Sequence, residues 1–228
     1  MGTIELDKVV RQSAVLGRVW HADVARLGET PSVLVLHFGG SGISRERYER
    51  RATTRNPVFD EALTALAKEG QQLVFAFVTA PFDLPYRFFH ERPEPAARWR
   101  AHVEGELMAL APQLPVFLLG YSGGIELALR GPHGSERVVG VGGLGADVVS
   151  ADLETAPALC EERPLVLAMN TGDPVYQPHG GVLEELLADE LVQVRRGSGG
   201  HAVTDYVANG AFAGMLRTAT TLAASRGR

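Results

Sequence analysis

Read for the alternation of apolar and polar positions, the chain is punctuated by short apolar runs. Val33 to Leu36, Leu73 to Val78, Val116 to Leu119, Val138 to Val141 and Leu165 to Met169 are each bounded by glycine, proline or polar residues, and Leu191 to Val194 repeats the pattern with Gln193 inside it. Runs this short, with little polar alternation, are expected of strands buried on both faces of a parallel sheet. Between them the period changes. Phe59, Leu63 and Leu66 share one face of a helix expected from Phe59 to Lys68 and stopped by Gly70, and Trp99, Val103, Leu107 and Leu110 form one stripe over Ala96 to Leu110, as core-facing helices require. Further helices are expected at Ile125 to Arg130, at Val182 to Ala188, and at Val203 to Ala223, where Val207, Ala211 and Met215 recur at four-residue spacing. Ahead of all these, Thr3 to Val10 and Ser13 to Trp20 read as a hairpin of strands. Alternating strands and helices predict an α/β fold: a mostly parallel central sheet with helices on both faces.

Composition narrows the picture. At 228 residues and 45% apolar content, a single domain over residues 1–228 with a sizeable core is expected. The formal charge of −5 argues against nucleic acid as a partner, and the one arginine-rich segment, Arg45 to Arg55, is interleaved with glutamates. Cys160 is the only cysteine, which fits a reducing cytoplasm and leaves no thiolate metal cluster. Charges in MGTIELDKVV occupy the place of a signal-peptide core, and no apolar run approaches a membrane span. No membrane partner is expected.

Chemistry concentrates where apolar runs end. Val116 to Leu119 leads into Gly120-Tyr121-Ser122-Gly123-Gly124 and then into helix formers. Strand, G-x-S-x-G turn and helix make a nucleophile elbow, which needs small residues around a sharply turned serine. Val33 to Leu36 ends in His37-Phe38-Gly39-Gly40-Ser41, a glycine-rich loop at a carboxyl strand end, where open α/β sheets bind ligands. Leu165 to Met169 ends in Asn170-Thr171-Gly172-Asp173, and Leu191 to Val194 is followed by Gly197-Ser198-Gly199-Gly200-His201. Prolines and aromatics crowd Pro81 to Pro95, and Phe82 and Tyr86 there, with Tyr121, are candidate substrate-binding residues.

Serine, aspartate and histidine in this chain order, on three strand ends, resemble the α/β-hydrolase superfamily, and the four loops together are most similar to its small thioesterases and esterases. The resemblance implies Ser122 as nucleophile, His201 as its base and Asp173 as the acid that orients the imidazole. It implies an oxyanion hole from the Gly123 N–H and from the loop after His37, where two alignments point to Phe38 and to Gly39. Asp147, also after a strand, competes with Asp173; His37, His90, His133 and His179 compete with His201, and His37 reads as structural. Glu126 reads as a solvated or capping helix residue. Only 19 residues separate Gly145 from Leu165, which leaves no room for a large lid and assigns any cover to the Pro81 to Pro95 loop. The implied protein is a cytoplasmic serine hydrolase needing neither cofactor nor metal, acting through an acyl-enzyme on a small-molecule acyl ester or thioester, free or bound to a carrier. Acyl transfer or cyclisation on the same triad, and a non-catalytic ligand-binding protein on the same scaffold, remain open at this level.

Overall fold

The computed structural model describes residues 4–12, 16–17, 19–39, 58–79, 92–129, 135–146, 163–174 and 190–226. Eight strands among them form one sheet: β1 Ile4–Gln12, β2 Val19–Leu27, β3 Leu34–Phe38, β4 Leu73–Thr79, β5 Val116–Tyr121, β6 Val138–Leu144, β7 Leu165–Asn170 and β8 Val192–Gly197. Their spatial order is β1-β2-β4-β3-β5-β6-β7-β8. From β4 through β3 to β8 every neighbouring pair is parallel. Because β2 pairs antiparallel with both β1 and β4, it alone is reversed and the sheet is mixed. The central strands are buried from end to end, as in β3, β6 and β7. That is why they appear in the sequence as unbroken apolar runs.

The helices are α1 Val58–Lys68, α2 Pro93–Ala109, α3 Gly124–Leu129, α4 Val203–Ala208 and α5 Ala211–Arg226. They fall on two sides. Trp99, Val103 and Leu107 of α2 and Ile125 and Ala128 of α3 pack with Leu34, Leu36, Leu118 and Leu167. Phe59, Leu63 and Leu66 of α1, Tyr206 of α4 and Phe212, Met215 and Leu216 of α5 pack with Val35, Phe75, Leu119 and Val166 on the other face. Side chains of one strand thus feed both cores alternately.

The structure corrects four expectations about the elements. The N-terminal hairpin exists, but its second strand is Val19–Leu27 rather than Ser13 to Trp20. His21 and Asp23, buried within that strand, hide its apolar character from a hydropathy pattern. Helix α2 starts at Pro93, with proline in its first turn where no intrahelical N–H is needed, so its end of the Pro81 to Pro95 segment is helical. Leu110 is the cap of that helix and is exposed, not part of its stripe. The last helix is two helices: Gly210 adopts φ +80, and Asn209 Oδ1 accepts the Ala211 N–H at 3.0 Å to start α5. The expected helix at Val182 to Ala188, the Arg45 to Arg55 segment, Cys160 and most of the Pro81 to Pro95 loop lie outside the described residues. Among the described residues no helix is long and apolar enough to cross a membrane.

Candidate active site

The turn after β5 is built for close approach. A Cβ on Gly120 would sit 2.2 Å from Ile125 Cα, and one on Gly124 would sit 2.2 Å from the Phe38 carbonyl oxygen. Neither position admits a side chain, so α3 lies directly over the end of β5 and against the end of β3. Between those glycines Ser122 has φ 53, the only non-glycine with positive φ among the described residues. A non-glycine held there is strained and persists only where its surroundings fix it. Here they do: the Ser122 N–H donates to Leu144 O at 2.9 Å, and its carbonyl accepts the Ile125 N–H at 3.1 Å. The serine is buried, at 4% exposure.

The ends of β7 and β8 deliver the other two groups. His201 Nε2 lies 2.9 Å from Ser122 Oγ, and His201 Nδ1 lies 2.8 Å from Asp173 Oδ2. The structure therefore brings Ser122, His201 and Asp173 into one hydrogen-bonded line, with Asp173 fully buried and the imidazole partly open to solvent. A buried carboxylate next to a ring N–H holds one tautomer and orients the ring.

Backbone and side-chain ties fix the two loops to each other. Asn170 Nδ2 donates to Gly200 O at 3.0 Å, and Asn209 Nδ2 donates to both Asn170 Oδ1 at 2.7 Å and Ser198 O at 2.8 Å. The Gly200 N–H donates to Asp205 Oδ2 at 2.7 Å. The Tyr206 hydroxyl accepts the Asn170 N–H at 3.2 Å and donates to Asp173 Oδ2 at 2.7 Å. The sequence alone does not mark Asn170, Asp205, Tyr206 or Asn209 for such a part. The available signal is positional: these are polar residues at the end of β7, and in or capping the short helix that follows the histidine loop.

The remaining sequence candidates fall as follows. The Gly123 N–H makes no hydrogen bond among the described residues, and the Glu126 N–H bonds to the Gly123 carbonyl at 3.2 Å. Phe38 ends β3 with its side chain buried, and the Gly39 N–H is turned onto Val78 O at 3.3 Å. Tyr121 donates its hydroxyl to the His201 carbonyl at 2.7 Å and stacks on the imidazole, with centroids 5.6 Å apart at 26°. Its hydroxyl is thus held by the protein itself. Phe82, Tyr86, Asp147, His90, His133 and His179 lie outside the described residues. His37 is fully buried against Phe59, Phe75, Phe77 and Phe212, and burial drives its pKa down to about 3, so it stays neutral. Glu126, expected as a solvated or capping residue, is buried at 3% exposure, because α3 is enclosed rather than solvent-facing.

No protein-family model and no curated protein matches the chain by sequence. Solved structures do resemble it. A ferulic acid esterase is 13% identical with a TM-score of 0.64, covering 97% of this chain and 99% of its own. Brefeldin A esterase, described as a bacterial homologue of human hormone sensitive lipase, is 17% identical with a TM-score of 0.66, covering 98% and 77%. The S-formylglutathione hydrolase from Staphylococcus aureus is 13% identical with a TM-score of 0.61, covering 97% of each chain. At these identities the likeness shows a shared α/β fold.

Proposed function

We propose that the chain is a single α/β-hydrolase domain acting as a serine hydrolase, which cleaves a small-molecule carboxylic ester or thioester through an acyl-enzyme on Ser122, His201 and Asp173. The observation that carries this reading is the unbroken line of 2.9 Å and 2.8 Å contacts from Ser122 Oγ through the imidazole to a buried carboxylate. A non-catalytic protein on the same scaffold has no reason to keep the serine in a strained turn beside a base. The likeness to solved esterases and to a thioester hydrolase supports the bond type.

The chemistry follows from those positions. A serine hydroxyl is a weak nucleophile until a base removes its proton during attack. His201 Nε2 takes that proton as Ser122 Oγ bonds to the acyl carbon, and Asp173 stabilises the imidazolium through Nδ1. Collapse of the tetrahedral intermediate expels the alcohol or thiol, which leaves with the proton from Nε2. Water then enters, gives a proton to Nε2 and its oxygen to the acyl carbon; collapse of this second tetrahedral intermediate breaks the bond to Ser122 Oγ, which takes the proton back from Nε2 as the carboxylic acid leaves. The oxyanion formed at each stage is held by the Gly123 N–H, and by a second donor from Phe38 or Gly39. A Gly39 donor would have to leave Val78 O, a bond already at the long end of the normal range. Each such donor typically matters by about 10² to 10³ in rate.

Fluorophosphonate labelling tests the proposal. Wild-type protein should label in one position, and Ser122→Ala should abolish it. Labelling of the variant at wild-type strength would contradict the reading.

A further inference from the structure

Resting on the reading of Ser122, His201 and Asp173 as a triad, we propose that Tyr206 is a positioning residue whose hydroxyl, shared onto the carboxylate oxygen that receives His201, sets how strongly Asp173 pulls on the imidazole. The geometry is specific. Asp173 Oδ2 accepts from His201 Nδ1 at 2.8 Å and from the Tyr206 hydroxyl at 2.7 Å, so two donors divide one oxygen. The phenol is itself aligned: the Asn170 N–H donates to its oxygen at 3.2 Å, leaving its proton for the carboxylate. Its ring is fully buried in the core formed with α5, which fixes the hydroxyl in place.

The surrounding backbone leaves space for this contact. A Cβ on Gly145, at the end of β6, would sit 2.9 Å from the Tyr206 hydroxyl and 3.0 Å from Asp173 Oδ2. Strand β6 therefore contributes an open space where any other residue would enter the Tyr206 to Asp173 contact. Burial, then the hydrogen bond to Asp173, push the phenol's pKa well up, so it remains a donor throughout the working pH range. The other titratable groups facing the pair, among the described residues, are Tyr121 from the end of β5, whose pKa is also raised, chiefly by burial, and Asp205 from α4. Neither bonds to Asp173 Oδ2.

A hydrogen bond donated to a carboxylate disperses its charge. With Tyr206 present, Asp173 stabilises the imidazolium less than it otherwise would, and its oxygen is held in line with Nδ1. Tyr206→Phe removes both effects while keeping the ring. The lost alignment opposes the firmer pull and outweighs it, so kcat in the variant should fall by about tenfold, within the roughly 10²-fold that a misplaced catalytic group can cost. The acid limb of kcat/KM should also move upward by about half a pH unit, because an undivided carboxylate holds the imidazolium more tightly. A purely structural tyrosine would lower thermal stability and leave that limb in place. Should the Phe variant not fold, 3-fluorotyrosine placed at position 206 alone makes the phenol a stronger donor, and the limb should then move downward. An unmoved limb in the folded variant, or with fluorotyrosine, overturns the inference. Fluorophosphonate labelling of Ser122 in the same preparations separates this result from the triad reading: labelling with an unmoved limb sinks only the role of Tyr206, and absent labelling of wild type sinks the triad.

Discussion

Single side chains decide what the candidate site can do. Asp173 has no exposure, so its negative charge is tolerable only through the donors around it, and two of these are His201 and Tyr206. Asp173→Asn keeps the volume but favours the wrong imidazole tautomer; kcat in ester turnover should drop by about 10³ to 10⁴ with the fold intact. A loss under tenfold would point to another acid, with Asp147 the first to examine. His37 illustrates a histidine with a different part. Burial holds it at about 3, against an ordinary 6.5. The unfolded chain takes up that proton first, so stability from this group is present above 6.5 and is lost as pH falls toward 3. Urea titrations should show His37→Leu losing less stability than wild type on acidification, by about 2 kcal/mol between pH 6 and pH 4.5.

At the scale of elements, α3 is held from behind as well as from the front. Arg100 of α2 donates Nη1 to the Leu127 carbonyl at 2.7 Å and pairs through Nε with Glu104 at 3.0 Å, both side chains almost wholly buried. Burial lifts Glu104 to about 7 against the opposing pull of Arg100. This group stabilises the fold below 4.5 and loses that contribution as pH rises toward 7, the reverse of His37. Removing one partner strands the other. Arg100→Leu should cost about 3 kcal/mol in denaturant unfolding, while the double replacement of Arg100 and Glu104 by Leu should cost less than that single one. A double cost equal to the sum of the Arg100→Leu and Glu104→Leu costs would show that the pair is not coupled. Elements also show what the sequence could convey. The apolar runs of strands β3 to β7 stand out because both their faces are buried, and the elbow stands out because Gly120 and Gly124 have no space for a Cβ. Strand β2 did not, since His21 and Asp23 are buried in it, and the break at Gly210 was masked by a continuous four-residue spacing across it.

Across the whole molecule, the parallel strand order places the ends of β5, β7 and β8 side by side with β6 between, so residues 79 positions apart in sequence meet at one point. Chain order and loop chemistry made that convergence legible as a pattern, because catalytic groups in open α/β sheets sit at carboxyl strand ends. The ties that hold the convergence rigid were not legible. Asn170, Asn209 and Tyr206 are ordinary polar residues in the sequence, and only the packing of α4 and α5 against β7 reveals their bonds. An acyl-enzyme mechanism requires Ser122 to carry an acyl group during turnover. Intact-mass spectrometry of protein quenched during turnover of a p-nitrophenyl ester, followed by peptide mapping, should find the acyl mass on the peptide containing Ser122 and nowhere in Ser122→Ala. Turnover that continues undiminished in Ser122→Ala, or an acyl mass mapping to another residue, would rule out Ser122 as the nucleophile.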